Sequence, residues 1–164
     1  ITKQDQVIAG EIFDLGKGVV IIANKMDKFE GSEKELRDYI EHHFPFLWFA
    51  SIYPLSAKNG KGLKEALDAI KPIYANRHKQ FEQEKLDLLL AQTMKTNPPK
   101  RLRDQRVPKV HGLSQVEINP PTFRLEVNRS GAISTQYRRF LLKHIIKRLD
   151  LFGTPVKLQV HQQE

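Results

Sequence analysis

Asn24, Lys25, Met26 and Asp27 follow the apolar run Val19, Val20, Ile21, Ile22, Ala23, and a second cluster, Ser56, Ala57 and Lys58, closes the stretch FASIYPLSA. At the carboxyl end of a strand in an open α/β sheet, side chains project into the crevice where ligands bind. A carboxylate such as Asp27 accepts two hydrogen bonds from one planar edge, and guanine offers that edge in its ring N–H and exocyclic amino group. Adenine lacks both donors in that arrangement. The Asn24 amide can brace the loop and meet the base from its other side, while the Lys25 stem lies across the ring face. Backbone N–H groups of Ser56, Ala57 and Lys58 can donate to the guanine carbonyl, where adenine would set donor against donor. A polar turn with Asn, Lys and Asp is common after a strand. Its pairing with Ser-Ala-Lys at the end of the next strand is what points to a guanine reader.

The elements that must hold these clusters follow from periodicity. Residues 2–15 carry Val7, Ile8, Ile12, Phe13 and Leu15 at helical spacing, with Gly16 as the stop. An unbroken β-branched strand over 18–24 reads as buried on both faces, as in a parallel sheet. Ser32 with Glu35 makes a capping box that opens a helix with Leu36, Tyr39, Ile40 and Phe44 on its apolar side. FASIYPLSA is the second strand, and 60–75 a third helix with Leu63, Ala66, Leu67 and Ile70 inward. The order α-β-α-β-α describes part of a doubly wound parallel sheet, and so apolar a strand as VVIIA requires a neighbour on each side. Further strands are expected upstream of Ile1, where the chain begins without Met and already in a helical pattern.

A different architecture is expected from residue 77 onward. Residues 78–95 form an amphipathic helix, TNPPKRLRDQRVPK a basic Pro-rich loop, and VHGLSQVEI and TFRLEV two strands around the turn Asn119, Pro120, Pro121. A helix over 135–149 has Tyr137, Phe140, Leu141, Ile145 and Leu149 inward and stops near Gly153, before the strand PVKLQV. This α-β-β-α-β order is a small α+β domain, so the chain divides into 1–76 and 77–164. The stripes Leu86, Leu89, Leu90 and Phe140, Leu141, Ile145 read as core.

Charge follows the same division. Residues 1–76 hold 10 Lys and Arg against 11 Asp and Glu, whereas 77–164 hold 17 against 8, so the net +8 belongs to the second part. Such asymmetry is a hint of a nucleic-acid partner, with a generally solvated basic surface as the alternative. Lys100, Arg101, Arg103, Arg106 and Lys109 gather on one loop, and Arg138, Arg139, Lys143, Lys147 and Arg148 on the last helix, where both groups can meet phosphates. No apolar run reaches the ~20 residues of a membrane helix. Without cysteines there is no disulfide framework, no signal peptide is evident, and the cytoplasm is the expected compartment. The pair His42-His43 lacks zinc spacing and suits a helix C-terminus.

NKMD and SAKNG resemble the fourth and fifth guanine-nucleotide motifs of Ras-like translational GTPases. The succession ITKQDQVIAGEIFDLGKGVVIIANKMD, NPPKRLRDQRVPK, INPPTFRLEVN, YRRFL and GTPVKL resembles the EngA/Der family of bacterial ribosome-assembly GTPases across essentially the whole chain. The resemblance implies the rear half of a second G domain, of the P-loop NTPase type, followed by a KH-like domain. It implies guanine-nucleotide contacts at Asn24, Lys25, Asp27, Ser56, Ala57 and Lys58, with GTP and Mg²⁺ as cofactors of the parent GTPase, and the large ribosomal subunit or its RNA and an upstream G domain as partners. The family often has Trp where this chain has Met26, a position facing away from the base. Its first KH-like strand is commonly aromatic near Gln115, whereas this chain's strand runs Val110, His111, Gly112, Leu113.

Two absences bound the chemistry. No G-x-x-x-x-G-K-[ST] run occurs, so the phosphate cradle and the Mg²⁺ ligands are not in this chain and no residue is assigned as catalytic. No G-x-x-G occurs either, so the backbone clamp of an ordinary KH domain is missing, and docking on G domains competes with RNA contact as the role of the basic half. An Era-like GTPase with a KH domain and a non-enzymatic RNA-binding scaffold remain alternative readings.

Overall fold

Strand β1 (Val20–Ala23) pairs in parallel with β2 (Ser51–Pro54), in the register Val20↔Ser51 to Ala23↔Pro54. The structure, a computed structural model, describes residues 1–100, 108–129 and 133–163. It divides into two compact units, Ile1–Arg77 with Phe152–Pro155, and His78–Leu151 with Val156–Glu164.

In the first unit, α1 (Lys3–Asp14) is opened by a capping box that sequence reading did not find. The Asp5 N–H donates to Thr2 Oγ1 (3.3 Å) and the Thr2 N–H to Asp5 Oδ2 (2.7 Å), satisfying two otherwise orphaned donors. The bonds that the Asp5 carboxylate accepts from the Thr2 N–H and the Thr2 hydroxyl hold that carboxyl below its ordinary range. The expected box at Ser32 and Glu35 is present at the head of α2 (Glu33–His43), the crossover that a parallel pair requires. Leu36 and Ile40 of α2 meet Ile52 of β2, with Ile21, Ala23, Met26 and Phe44 packed around them.

Three apolar faces differ from expectation. Only Ala9 of α1 is buried, while Val7 and Leu15 are 61% and 67% exposed. Tyr39 of α2 is likewise exposed. The expected helix over 60–75 is two, α3 (Leu63–Asp68) and α4 (Ile70–Arg77). Pro72 accounts for the break, because it has no N–H to offer the carbonyl of Asp68 and its ring crowds that carbonyl. The inward stripe is Ala66, Ala69 and Ile73, and Leu63, Leu67 and Ile70 point outward. Both stripes have helical spacing, and the structure turns the side with two alanines inward.

The tetrapeptide Phe152–Pro155, which sequence reading grouped with the basic half, is built into this unit. Gly153 donates its N–H to the Phe49 carbonyl and accepts from the Val19 N–H, both at 2.8 Å, so it spans the amino ends of the two strands. The Thr154 hydroxyl, fully buried, donates to the Ile73 carbonyl (3.2 Å), and Asn76 Nδ2 to that of Phe152 (3.3 Å).

The second unit follows the expected α-β-β-α-β order. Its sheet is β3-β4-β5, with β3 (Val110–Glu117) antiparallel to β4 (Thr122–Val127) and β5 (Lys157–Gln162) parallel to β4. The central strand is the most buried, with Phe123, Leu125 and Val127 at 0% exposure. Leu86 and Leu90 of α5 (Gln83–Thr96) and Leu141, Ile145, Ile146 and Leu149 of α6 (Thr135–Leu149) complete the core. Helix α6 ends at Leu149, as its periodicity predicts, and the residue that stops it is Asp150 in the left-handed region (φ 54°) instead of Gly153. Phe140 is half-buried, not core. Among the described residues no helix is long and apolar enough to cross a membrane.

Candidate functional site

Past the last rung of the β1–β2 ladder, the two chains stay in register. Leu55 donates its N–H to the Ala23 carbonyl (2.9 Å), and Met26 donates to that of Leu55 (3.1 Å). Between these bonds, Asn24 and Lys25 are exposed at the strand tip. Lys25 takes a left-handed backbone (φ 69°), a conformation that costs a non-glycine residue on the order of 1–2 kcal/mol. Asn24 offsets it by accepting the Lys25 N–H on Oδ1 (2.7 Å). The chain then enters a 3₁₀ turn over Met26–Lys28, which swings Asp27 toward the neighbouring loop while Met26 packs on the core.

Two side-chain bonds join the loops. Asn24 Oδ1 also accepts the Ala57 N–H (3.1 Å), and the Ser56 hydroxyl, 2% exposed, donates to Asp27 Oδ1 (2.7 Å). The second loop is folded back on itself, since Ser56 donates its N–H to the Lys61 carbonyl (2.9 Å) and Asn59 to that of Ser56 (3.2 Å). Gly62 lies in the left-handed region (φ 78°), and a Cβ there would stand 2.5 Å from the Pro54 carbonyl oxygen.

These bonds divide the roles that sequence reading had left together. The Ser56 and Ala57 N–H groups are engaged within the protein, so of the three only the Lys58 N–H has no partner among the described residues. Asp27 Oδ2 and the Asn24 Nδ2 group are likewise open there. A fixed carboxylate acceptor facing amide donors complements the N1–H and 2-amino edge of guanine and its carbonyl, and the exposed Lys25 and Lys58 supply apolar stems beside it. A cavity of about 470 Å³ adjoins Asp27, Ser56, Asn59 and Lys61, whereas Asn24, Lys25 and Lys58 lie outside its wall, on the open face. Among the described residues no group of three or more His, Asp or Glu side chains is gathered to hold a metal ion.

The basic residues are placed unevenly. Lys100 and Lys109 are exposed, and Lys109 is pinned through its N–H to Asn128 Oδ1 (3.1 Å). Arg101, Arg103 and Arg106 lie outside the described residues. On α6, Arg139, Lys143, Lys147 and Arg148 are exposed, while Arg138 is half-buried. His43 caps α2 by placing Nδ1 2.8 Å from the Tyr39 carbonyl.

Residues 80–161 match the family described as the C-terminal KH-domain-like domain of EngA bacterial GTPase enzymes. The GTPase Der of Lactobacillus johnsonii is 30% identical over all of this chain and 38% of its own length, and that of Lactobacillus helveticus is 33% identical over 96% of this chain and 37% of its own. The GTPase Der of Thermomicrobium roseum is 31% identical over 99% of this chain and 36% of its own. The chain thus spans under two-fifths of these relatives. Era of Aquifex aeolicus bound to GDP and AlF₄⁻ aligns over 97% of this chain and 60% of that one, at 21% identity and a TM-score of 0.37.

Proposed function

Because the chain belongs to the EngA family of bacterial GTPases, whose C-terminal KH-like domain it carries, we propose that it is the guanine-reading and RNA-contacting part of a GTP-hydrolysing protein of large-subunit assembly in the cytoplasm. The observation that supports this most is the cross-bracing of the two loops through Ser56–Asp27 and Ala57–Asn24. Asp27 would accept from N1–H and the 2-amino group of guanine, and the Lys58 N–H and Asn24 amide would donate to the opposite edge. Lys25 and Lys58 would flank the ring. The phosphates to be cleaved, and the Mg²⁺ that would neutralise their charge during hydrolysis, would be held by residues outside this chain, because the sequence has no phosphate-cradling run.

Nucleotide competition on the full-length protein tests the reading. Guanine nucleotides are expected to displace a labelled guanine nucleotide, and adenine nucleotides not to, because adenine sets an acceptor against the Asp27 carboxylate. Equal displacement by both would overturn it. The isolated 164-residue chain is expected to show no GTP turnover, and turnover by a purified sample free of contaminating GTPase would place phosphate-handling groups within it.

For the second unit, the basic composition and the basic sequence over 100–109 support contact with ribosomal RNA. Phosphate contacts act through counterion release, so changing Lys100, Arg101, Arg103, Arg106 and Lys109 to Gln is expected to flatten the slope of log affinity against log salt by roughly 0.7 to 0.9 per lost contact. Guanine binding should be untouched. Ribosomal-particle binding measured across a salt series checks this, and an unchanged slope would favour docking on G domains. The EngA match favours this reading over an Era-like arrangement.

A further inference from the structure

The seam between α5 and α6 carries an aromatic ladder that the guanine site and the basic segment 100–109 do not use. The Tyr137 hydroxyl donates to the Asn97 carbonyl just past the end of α5 (2.7 Å), while Arg148 and Leu149 meet Lys85, Leu88, Leu89 and Gln92 around a cavity of about 220 Å³. The two helices therefore run antiparallel along a shared groove. On its α6 side, Tyr137, Phe140 and His144 fall at i, i+3 and i+7. Neighbouring rings are in contact, tilted at 40° with centroids 5.6 Å apart for Tyr137–Phe140 and nearly parallel at 26° with centroids 5.7 Å apart for Phe140–His144. All three are half-buried, so the ladder lies at the surface and outside the core.

The rim supplies charge. Lys85, Lys147 and Arg148 are exposed and make no ion pair with the described residues, and no carboxylate lines the cavity. Leu88, 59% exposed, extends the apolar floor. Burial, together with the nearby Arg148 and Lys147, lowers the pKa of His144, which favours its uncharged ring. A row of ring faces bordered by cations is the combination that holds single strands, with bases on the rings and phosphates on the cations. A duplex keeps its bases stacked inside and offers no free face.

We propose that the α5–α6 seam is a base-stacking site for single-stranded RNA, engaged through Tyr137, Phe140 and His144 with Lys85, Lys147 and Arg148 on the phosphates. This rests on the reading of the second unit as RNA-contacting, and it adds a single-strand preference that phosphate contacts of the basic segment 100–109 do not provide.

The test uses the full chain, a fluorescent 12-nucleotide oligoadenylate RNA, and an RNA duplex of equal length. Wild type is expected to bind the single strand more tightly than the duplex. Phe140→Leu, which keeps apolar volume and removes the ring, should weaken single-strand binding roughly 5- to 100-fold, at an unchanged salt slope. Phe140→Tyr should restore it, separating loss of the ring from misfolding. Lys147→Gln with Arg148→Gln should instead flatten the slope. Crosslinking with a 4-thiouridine-substituted strand should mark peptides from 85–92 and 137–148. If wild type binds neither RNA, the RNA reading itself falls. If it binds but Phe140→Leu binds equally, or crosslinks lie elsewhere, the seam is not the site and the RNA reading stands without it.

Discussion

Asp27→Asn in the full-length protein is expected to weaken GTP binding by a hundredfold or more and to shift preference toward XTP. Two charge-assisted hydrogen bonds are lost, each contributing roughly 1.5 to 3 kcal/mol, or about 3 to 6 kcal/mol together, and each 1.4 kcal/mol is tenfold in affinity. The replacement amide can keep its carbonyl oxygen on the Ser56 hydroxyl, where Asp27 Oδ1 now accepts at 2.7 Å. Its NH₂ group then faces the base, in donor-to-donor conflict with guanine. Xanthine carries a carbonyl in place of the 2-amino group and relieves that conflict. Because the loop bond survives, thermal stability should change little while specificity changes greatly. Competition titrations with GTP and XTP measure the effect, and an unchanged GTP preference would mean that Asp27 does not read the base.

The second large effect is expected at Gly62. Gly62→Ala forces an L residue into φ 78° and brings a methyl group to 2.5 Å from the Pro54 carbonyl oxygen, a backbone atom that cannot rotate away. The left-handed conformation alone costs on the order of 1–2 kcal/mol, and displacing the backbone adds to it, so a loss of at least 2 kcal/mol is expected. Gly60 is the control. It is also left-handed (φ 72°), but a Cβ there meets nothing within 4 Å, so Gly60→Ala should cost only the conformational part. The Gly62 variant should also lose guanine affinity, because the same turn presents Ser56, Ala57 and Lys58. Denaturant midpoints and nucleotide affinities for both variants check this. Equal losses would show that contact with Pro54 does not matter.

What was legible in the sequence was local. Ser32 and Glu35 lie within one turn of each other, and an apolar strand ending in Asn-Lys-Met-Asp announces itself within a dozen residues. The limits of α6 were equally readable from its periodicity. What was not legible depends on packing between distant residues. Nothing local selects Ala66, Ala69 and Ile73 over Leu63, Leu67 and Ile70 as the inward stripe, since that choice is made by the surface the helices meet. Nor could spacing show that Asn24 would claim the Ala57 N–H, 33 positions away, leaving Lys58 as the open donor. Phe140 read as core for a related reason: a helical period gives the face of a residue and not its distance from the rim.

The tetrapeptide Phe152–Pro155 has a consequence for synthesis. Domains generally fold in order as the chain leaves the ribosome, each closing once its last residue is free. Here the first unit has its helices and both strands by Arg77, but the peptide that joins Val19 to Phe49 through Gly153 arrives only after a further stretch of roughly eighty residues. At ~5–20 residues per second, the delay is on the order of 4–16 s. During it, the amino ends of β1 and β2 lack their bridge, and the Ile73 carbonyl waits for Thr154. The nascent unit is therefore open at its floor while the second unit is being made, and a protease acting in that window meets a half-closed sheet.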